Sequence, residues 1–272
     1  MTDQRIIVFD IETIPDLSSG RLLVGENDEA PDNEIRAKIG LRYAKQGEDP
    51  SSAFVKVPLQ KIVCIGALFA EKLERSAGWE ITRFGAGHVG QRSERQIVES
   101  FVGSFHHRPT PQLIGFNSSS FDLPVLRYRA LALSLPIPDL HRFNGKDYWY
   151  RYGRDHLDLC DVLSNFGASA RPSLSEMSAL CGLPPKLNGI DGARVEELVR
   201  ANRIEDVSNY CEIDVLSTYL LFLRFALVVG DLTLEAYKNS LLSLSRYLGL
   251  RTEKRPHLSK FAALDLLNSV SG

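Results

Sequence analysis

What this chain lacks narrows its chemistry before any motif is read. Its longest apolar stretch, Tyr219 to Gly230, is about a dozen residues broken by Arg224, and a membrane span needs ~20. The four cysteines (Cys64, Cys160, Cys181, Cys211) lie far apart with no CxxC pair, which argues against a zinc site and for structural burial. None of the six histidines has a second histidine at ligand spacing; His106 and His107 adjoin, but adjacent side chains rarely share one metal. Strong charge of one sign is missing too. A formal net charge of −2 argues against coating nucleic acid through bulk positive charge, but leaves room for an enzyme that grips a few phosphates and lets go. There is no internal repeat and no low-complexity tract. The opening MTDQRIIVFD carries an acid and then enters a strand pattern, unlike a secretory leader, so a cytoplasmic protein is expected.

What remains is an ordinary globular composition, 44% hydrophobic and 24% charged over 272 residues, enough for one large domain or two small ones. Apolar runs predict strands at Arg5 to Phe9, Lys61 to Phe69, Trp79 to Phe84 and Leu113 to Phe116. Helical spacing covers Ser93 to Phe105 and Asp122 to Leu133, the latter with Pro124 in its first turn. Further helices are expected at His156 to Phe166, Ser173 to Cys181, Gly192 to Ala201, Glu205 to Val228 and Leu232 to Leu248. Ser173 followed by Glu176 fits a capping box. Strands come first and helices dominate later. The expectation is an α/β fold, a mixed sheet flanked by helices, with a helical C-terminal extension over 230–272. Pro15 to Leu59 reads as a long polar insertion or mobile connection with one helix, Asn33 to Gln46.

Four carboxylates stand in short patterned neighbourhoods. Asp10 and Glu12 lie in FDIET, Asp122 in GFNSSSFDLPVL, and Asp214 in YCEIDVLSTY, four residues after Tyr210. Each has a bland reading by itself. A strand can simply end in two solvated acids, a helix can begin with an acid that suits its dipole, and a tyrosine can pack beside a solvated aspartate. Together they make chance a poor explanation. Hard oxygen ligands from three segments are what a Mg²⁺ or Mn²⁺ site for phosphoester chemistry requires.

With these motifs in this order, the chain resembles the DEDD superfamily of 3′–5′ exonucleases, built on a ribonuclease H-like fold. The likeness is to the proofreading exonuclease domains of family B DNA polymerases and their stand-alone bacterial relatives. Tyr210 indicates the tyrosine form; the histidine form would place its general base where Asn209 stands. The resemblance implies two Mg²⁺ or Mn²⁺ ions, with Asp10 bridging them, Glu12 and Asp214 completing the first site, and Asp122 supporting the second. Tyr210 would orient the attacking water. Ile11, Thr13, Asn117 and Phe121 would contact the terminal nucleotide. The expected substrate is a single-stranded 3′ end, DNA more than RNA, with any polymerase or repair partner a separate protein. Trimming of RNA 3′ ends, or a silent nucleic-acid- or partner-binding module, are the rival expectations. KDYWYRYGR, at Lys146 to Arg154, interleaves aromatics with cations and is a candidate track for single strands. Asp158 and Asp161 are read as structural, at a helix start.

Overall fold

The computed structural model describes residues 4–72, 78–106, 110–141, 147–184 and 192–262. The apolar runs become strands β1 (Gln4–Pro15), β2 (Gln60–Lys72), β3 (Glu80–His88), β4 (Gln112–Gly115) and β5 (His156–Asp158). They form one sheet in the order β3-β2-β1-β4-β5. The first three strands are antiparallel; β4 runs parallel to β1, and β5 parallel to β4. The helices are α1 (Leu17–Val24), α2 (Asp32–Leu41), α3 (Glu94–Val102), α4 (Asp122–Ala132), α5 (Leu159–Leu163), α6 (Leu174–Leu180), α7 (Val195–Arg200), α8 (Ile204–Val228), α9 (Leu234–Gly249) and α10 (Ser259–Ala262). This is the expected ribonuclease H-like α/β class.

Central strand β1 is buried on both faces, and its period of two decides where everything else goes. Ile7, Phe9 and Ile11 pack with Val98 and Phe101 of α3 and with Leu123 and Leu126 of α4. Ile6 and Val8 face the other way, into a core with Ile213 and Leu216 of α8. Asp10 and Glu12 continue the Ile6–Val8 row and so point at α8. Gly66 of β2 pairs with Asp10 in register. A Cβ at Gly66 would lie 2.8 Å from Cys211 Sγ and 3.0 Å from Val215 Cγ2, so its absence lets α8 settle onto the sheet.

Two expectations are corrected. His156 to Phe166 is not one helix: its first three residues pair with β4 as an edge strand, and α5 starts only at Leu159. Parallel pairing overrides the local periodicity, and the Asp158 carboxylate starts the helix by accepting the N–H of Cys160 and Asp161. Between β1 and β2 the structure has two helices where one was read, with α2 ending at Leu41. Ile35, Ile39 and Val55 form a small apolar cluster there, out of reach of a window-based reading because Val55 returns from the far end of the segment. The Ser173–Glu176 capping box is present as read.

The C-terminal helix α9 packs on the domain. Ser240 and Ser243 hydroxyls accept the N–H groups of Trp79 and Ile81, and the Tyr247 hydroxyl accepts that of Phe84. N–H groups along the outer strand are thereby covered, which blunts an otherwise exposed sheet edge. Residues 263–272 of the expected extension, and Lys146, lie outside the described residues. No helix among the described residues is long and apolar enough to cross a membrane.

Candidate active site

The site begins where β1 ends against α8. Asp10 and Glu12 are hydrogen-bonded side chain to side chain. Burial pushes the Glu12 carboxyl well above the usual range, and the charges of Asp10 and Asp214 push the same way. Asp122, first residue of α4, accepts the Ile11 N–H at 2.9 Å. That bond favours its charged form, yet burial, followed by the charge of Asp10, still raises Asp122 well above an ordinary aspartate. On α8, Tyr210 and Asp214 are one turn apart and share a hydrogen bond. Tyr210 is raised by burial and then by the charges of Asp214, Glu12 and Asp10, so its phenol stays protonated and donates. The four acids and the tyrosine named from sequence therefore act on one another.

This donor set suits a hard divalent cation. Carboxylates on which burial, and then mutual repulsion, favours the protonated form are the arrangement a cation relieves. Cys211 also comes within 4.8 Å of the Asp10 and Glu12 oxygens. It is packing rather than a ligand: its thiol is raised by burial, it donates to the Asp10 carbonyl at 3.5 Å, and a hard ion prefers oxygen.

The four residues expected at the substrate divide. Ile11 does not open to a ligand. Its side chain is buried in the core and its N–H is held by Asp122. Strand alternation decides this, because its neighbours Asp10 and Glu12 take the other face. Thr13 is half-buried, just past a bulge between Glu12 and itself. Asn117 sits in the left-handed region at φ 59°, which asparagine tolerates. Its N–H and that of Ser119 donate to Asp158 at 2.8 Å each, so Asp158 holds the motif loop as well as capping α5. Phe121 is partly buried against the core and lies 6.2 Å, ring to ring, from Phe54.

Other contributors carried no local signal. Arg171 reaches Asn117 Oδ1 at 3.0 Å, Ser120 Oγ at 2.9 Å and Asp161 at 3.0 Å, setting a half-exposed cation beside the motif loop. Arg129 of α4 joins Asp16, at the end of β1, to Glu94 at the start of α3, each at 2.7 Å. These partners stand 113 and 35 residues away, beyond any motif. Within the KDYWYRYGR segment the roles split. Tyr148 is core, its ring edge-on to Phe105, while Tyr150 and Tyr152 are exposed and Tyr152 packs on Phe166 at 4.8 Å. Arg151 pairs with Asp161 at 2.6 Å.

The model of the family described as "Predicted 3′-5′ exonuclease related to the exonuclease domain of PolB" matches residues 52–264. The chain belongs to that family. The match takes in Asp122, Tyr210 and Asp214; Asp10 and Glu12 precede it, and the fold brings them to the same place. A DNA polymerase from Archaeoglobus fulgidus is 26% identical over 134 residues, 47% of this chain and 17% of that protein. A family B DNA polymerase from the hyperthermophilic archaeon Pyrobaculum calidifontis superposes with a TM-score of 0.52 at 19% identity, over 98% of this chain and 28% of that one. This PolB-type exonuclease chain thus spans less than a third of either polymerase, and the structural likeness is one of fold.

Proposed function

We propose that this protein is a metal-dependent 3′–5′ exonuclease that releases nucleoside 5′-monophosphates from single-stranded DNA ends. The observation that carries the reading is the convergence of Asp10, Glu12, Asp122, Asp214 and Tyr210 from one strand and two helices. DNA is favoured over RNA because both relatives are DNA polymerases. Nothing in the described residues points to recognition of a 2′-hydroxyl.

Asp10, Glu12, Asp122 and Asp214 would hold Mg²⁺ or Mn²⁺, in the two-ion arrangement the family resemblance implies. Bound there, the ions would neutralise charge at the phosphate and acidify the attacking water. In the reaction the water oxygen gives up one proton to solvent and bonds to phosphorus, the P–O3′ bond breaks, and the leaving 3′ oxygen takes up a proton from solvent. Tyr210, raised by burial and then by its acidic neighbours, donates its O–H to Asp214, so its oxygen is left to orient the water by accepting one hydrogen bond. Asn117, Thr13 and Phe121 border the terminal nucleotide, and Arg171 supplies a phosphate contact beside Asn117. The exposed rings of Tyr150 and Tyr152 offer stacking surface for the strand beyond. A polymerase or repair protein would be a separate partner.

The test is incubation with 5′-labelled single-stranded DNA, with and without Mn²⁺, beside matched RNA. A metal-dependent descending ladder on DNA is expected. Cutting of a circular single strand, or no nucleotide release with any divalent ion, would overturn the reading. A preference for the RNA would move the substrate without moving the chemistry.

A further inference from the structure

The segment between β1 and β2 carries a device the reaction described so far does not use. Phe54 is 62% exposed, while its neighbours Ala53 and Val55 are fully buried. Its backbone is clamped on both sides by buried polar side chains. Arg36 Nη2 donates to the Ala53 carbonyl at 2.8 Å, and Gln60 Nε2 donates to the Val55 carbonyl at 3.0 Å. Arg36 is itself only 2% exposed. It is anchored to Glu196 of α7 at 3.0 Å and to the Pro50 carbonyl at 3.1 Å. Phe54 therefore cannot turn inward without breaking these bonds. A large ring held rigidly in water contributes nothing to the core.

What the ring does reach is the motif loop. Its centroid stands 6.2 Å from that of Phe121, with the planes tilted by 47°. Phe121 is the residue before Asp122, whose carboxylate is fixed on the Ile11 N–H. A base between two parallel rings needs about 7 Å, two contact distances of ~3.5 Å. The pair is too close and too tilted for a sandwich. It makes a ledge, with Phe121 as the inner step and the open face of Phe54 as the outer one.

We propose that Phe54, supplied by the segment between β1 and β2, forms with Phe121 a base-stacking subsite for the 3′-terminal region of a single strand. This deepens the exonuclease reading and rests on it. Every base has a π face, so such a subsite is tolerant of sequence and selects unpaired over paired ends. It also gives the intervening segment a role: α2 and its buried Arg36 exist in part to hold one ring at the rim of the site.

The experiment compares the full chain with its Phe54→Leu and Phe54→Trp variants. Leucine keeps apolar bulk at an exposed position but has no π face, and equal melting temperatures check the fold. For a single-stranded oligonucleotide with Mn²⁺, Phe54→Leu should raise KM by about 5- to 100-fold with kcat little changed, and Phe54→Trp should restore or lower KM. Without divalent ions, a strand carrying 2-aminopurine at its 3′ end should be quenched by wild type and Phe54→Trp and much less by Phe54→Leu. Wild-type KM and quenching in Phe54→Leu would overturn the ledge while leaving the exonuclease standing. Quenching that depends on Phe54 without nucleotide release would sink the exonuclease and keep the ledge. Absence of both in wild type would end both.

Discussion

Replacing Asp10 by asparagine should raise the stability of the metal-free protein while abolishing its activity. The amide would keep the shape of the carboxylate and its hydrogen bond to Glu12, and would remove one of the charges that raise Glu12. The Asp10 and Glu12 oxygens lie within 4.8 Å of each other. At that separation and an effective dielectric of ~20, the repulsion between two full charges is about 3 kcal/mol. Glu12 already relieves part of it by holding a proton above the usual range, and Asp10 is partly open to solvent. A net gain of about 1–2 kcal/mol remains, or a few degrees in Tm. Wild type should recover more than this from Mn²⁺, since a free ion at a hundred times its Kd adds ~2.7 kcal/mol. Asp10→Asn should lose most of that increment. Differential scanning calorimetry in EDTA and then in Mn²⁺ reads both quantities. A variant no more stable than wild type in EDTA, yet still stabilised fully by Mn²⁺, would refute the claim that these acids repel one another around a cation site.

Three further perturbations reach other parts of the design. Gly66→Ala should destabilise by about 1–3 kcal/mol and cost disproportionate activity, because the new methyl meets Cys211 and Val215 and lifts α8 with Tyr210 and Asp214; adding Cys211→Ala should restore part of both, and purely additive losses would count against it. His156 is buried against Ser118 with its pKa lowered to about 4. Its stabilising contribution is therefore complete above pH ~6.5 and is lost as pH falls toward 4; wild type should lose about 2 kcal/mol more than His156→Gln between pH 7 and pH 5, measured by denaturant melts. The double change Tyr150→Ala with Tyr152→Ala should weaken binding of long single strands and spare short ones. Equal loss on both lengths would remove these rings from the track.

How much of this was legible depends on range. RIIVF announces a buried strand, and Ser173 with Glu176 carries the capping box that starts α6 where written. The acids and Tyr210 could be named because each sits in a short pattern, and period two already put Asp10 and Glu12 on one side of β1. Which side was not written there. Only the packing of Ile7, Phe9 and Ile11 against α3 and α4 turned the acids toward α8, and only the bare Cα of Gly66 let that helix come close. Strand β5, the Arg129 link between Asp16 and Glu94, and the Arg36 clamp behind Phe54 were likewise decided in three dimensions. Their partners are distant in the chain, and a hydrogen bond or a parallel pairing across such a gap leaves no periodicity to read. The chain by itself chose which groups could do chemistry; the fold chose which of them meet, because burial is settled by what packs on the far side of each strand.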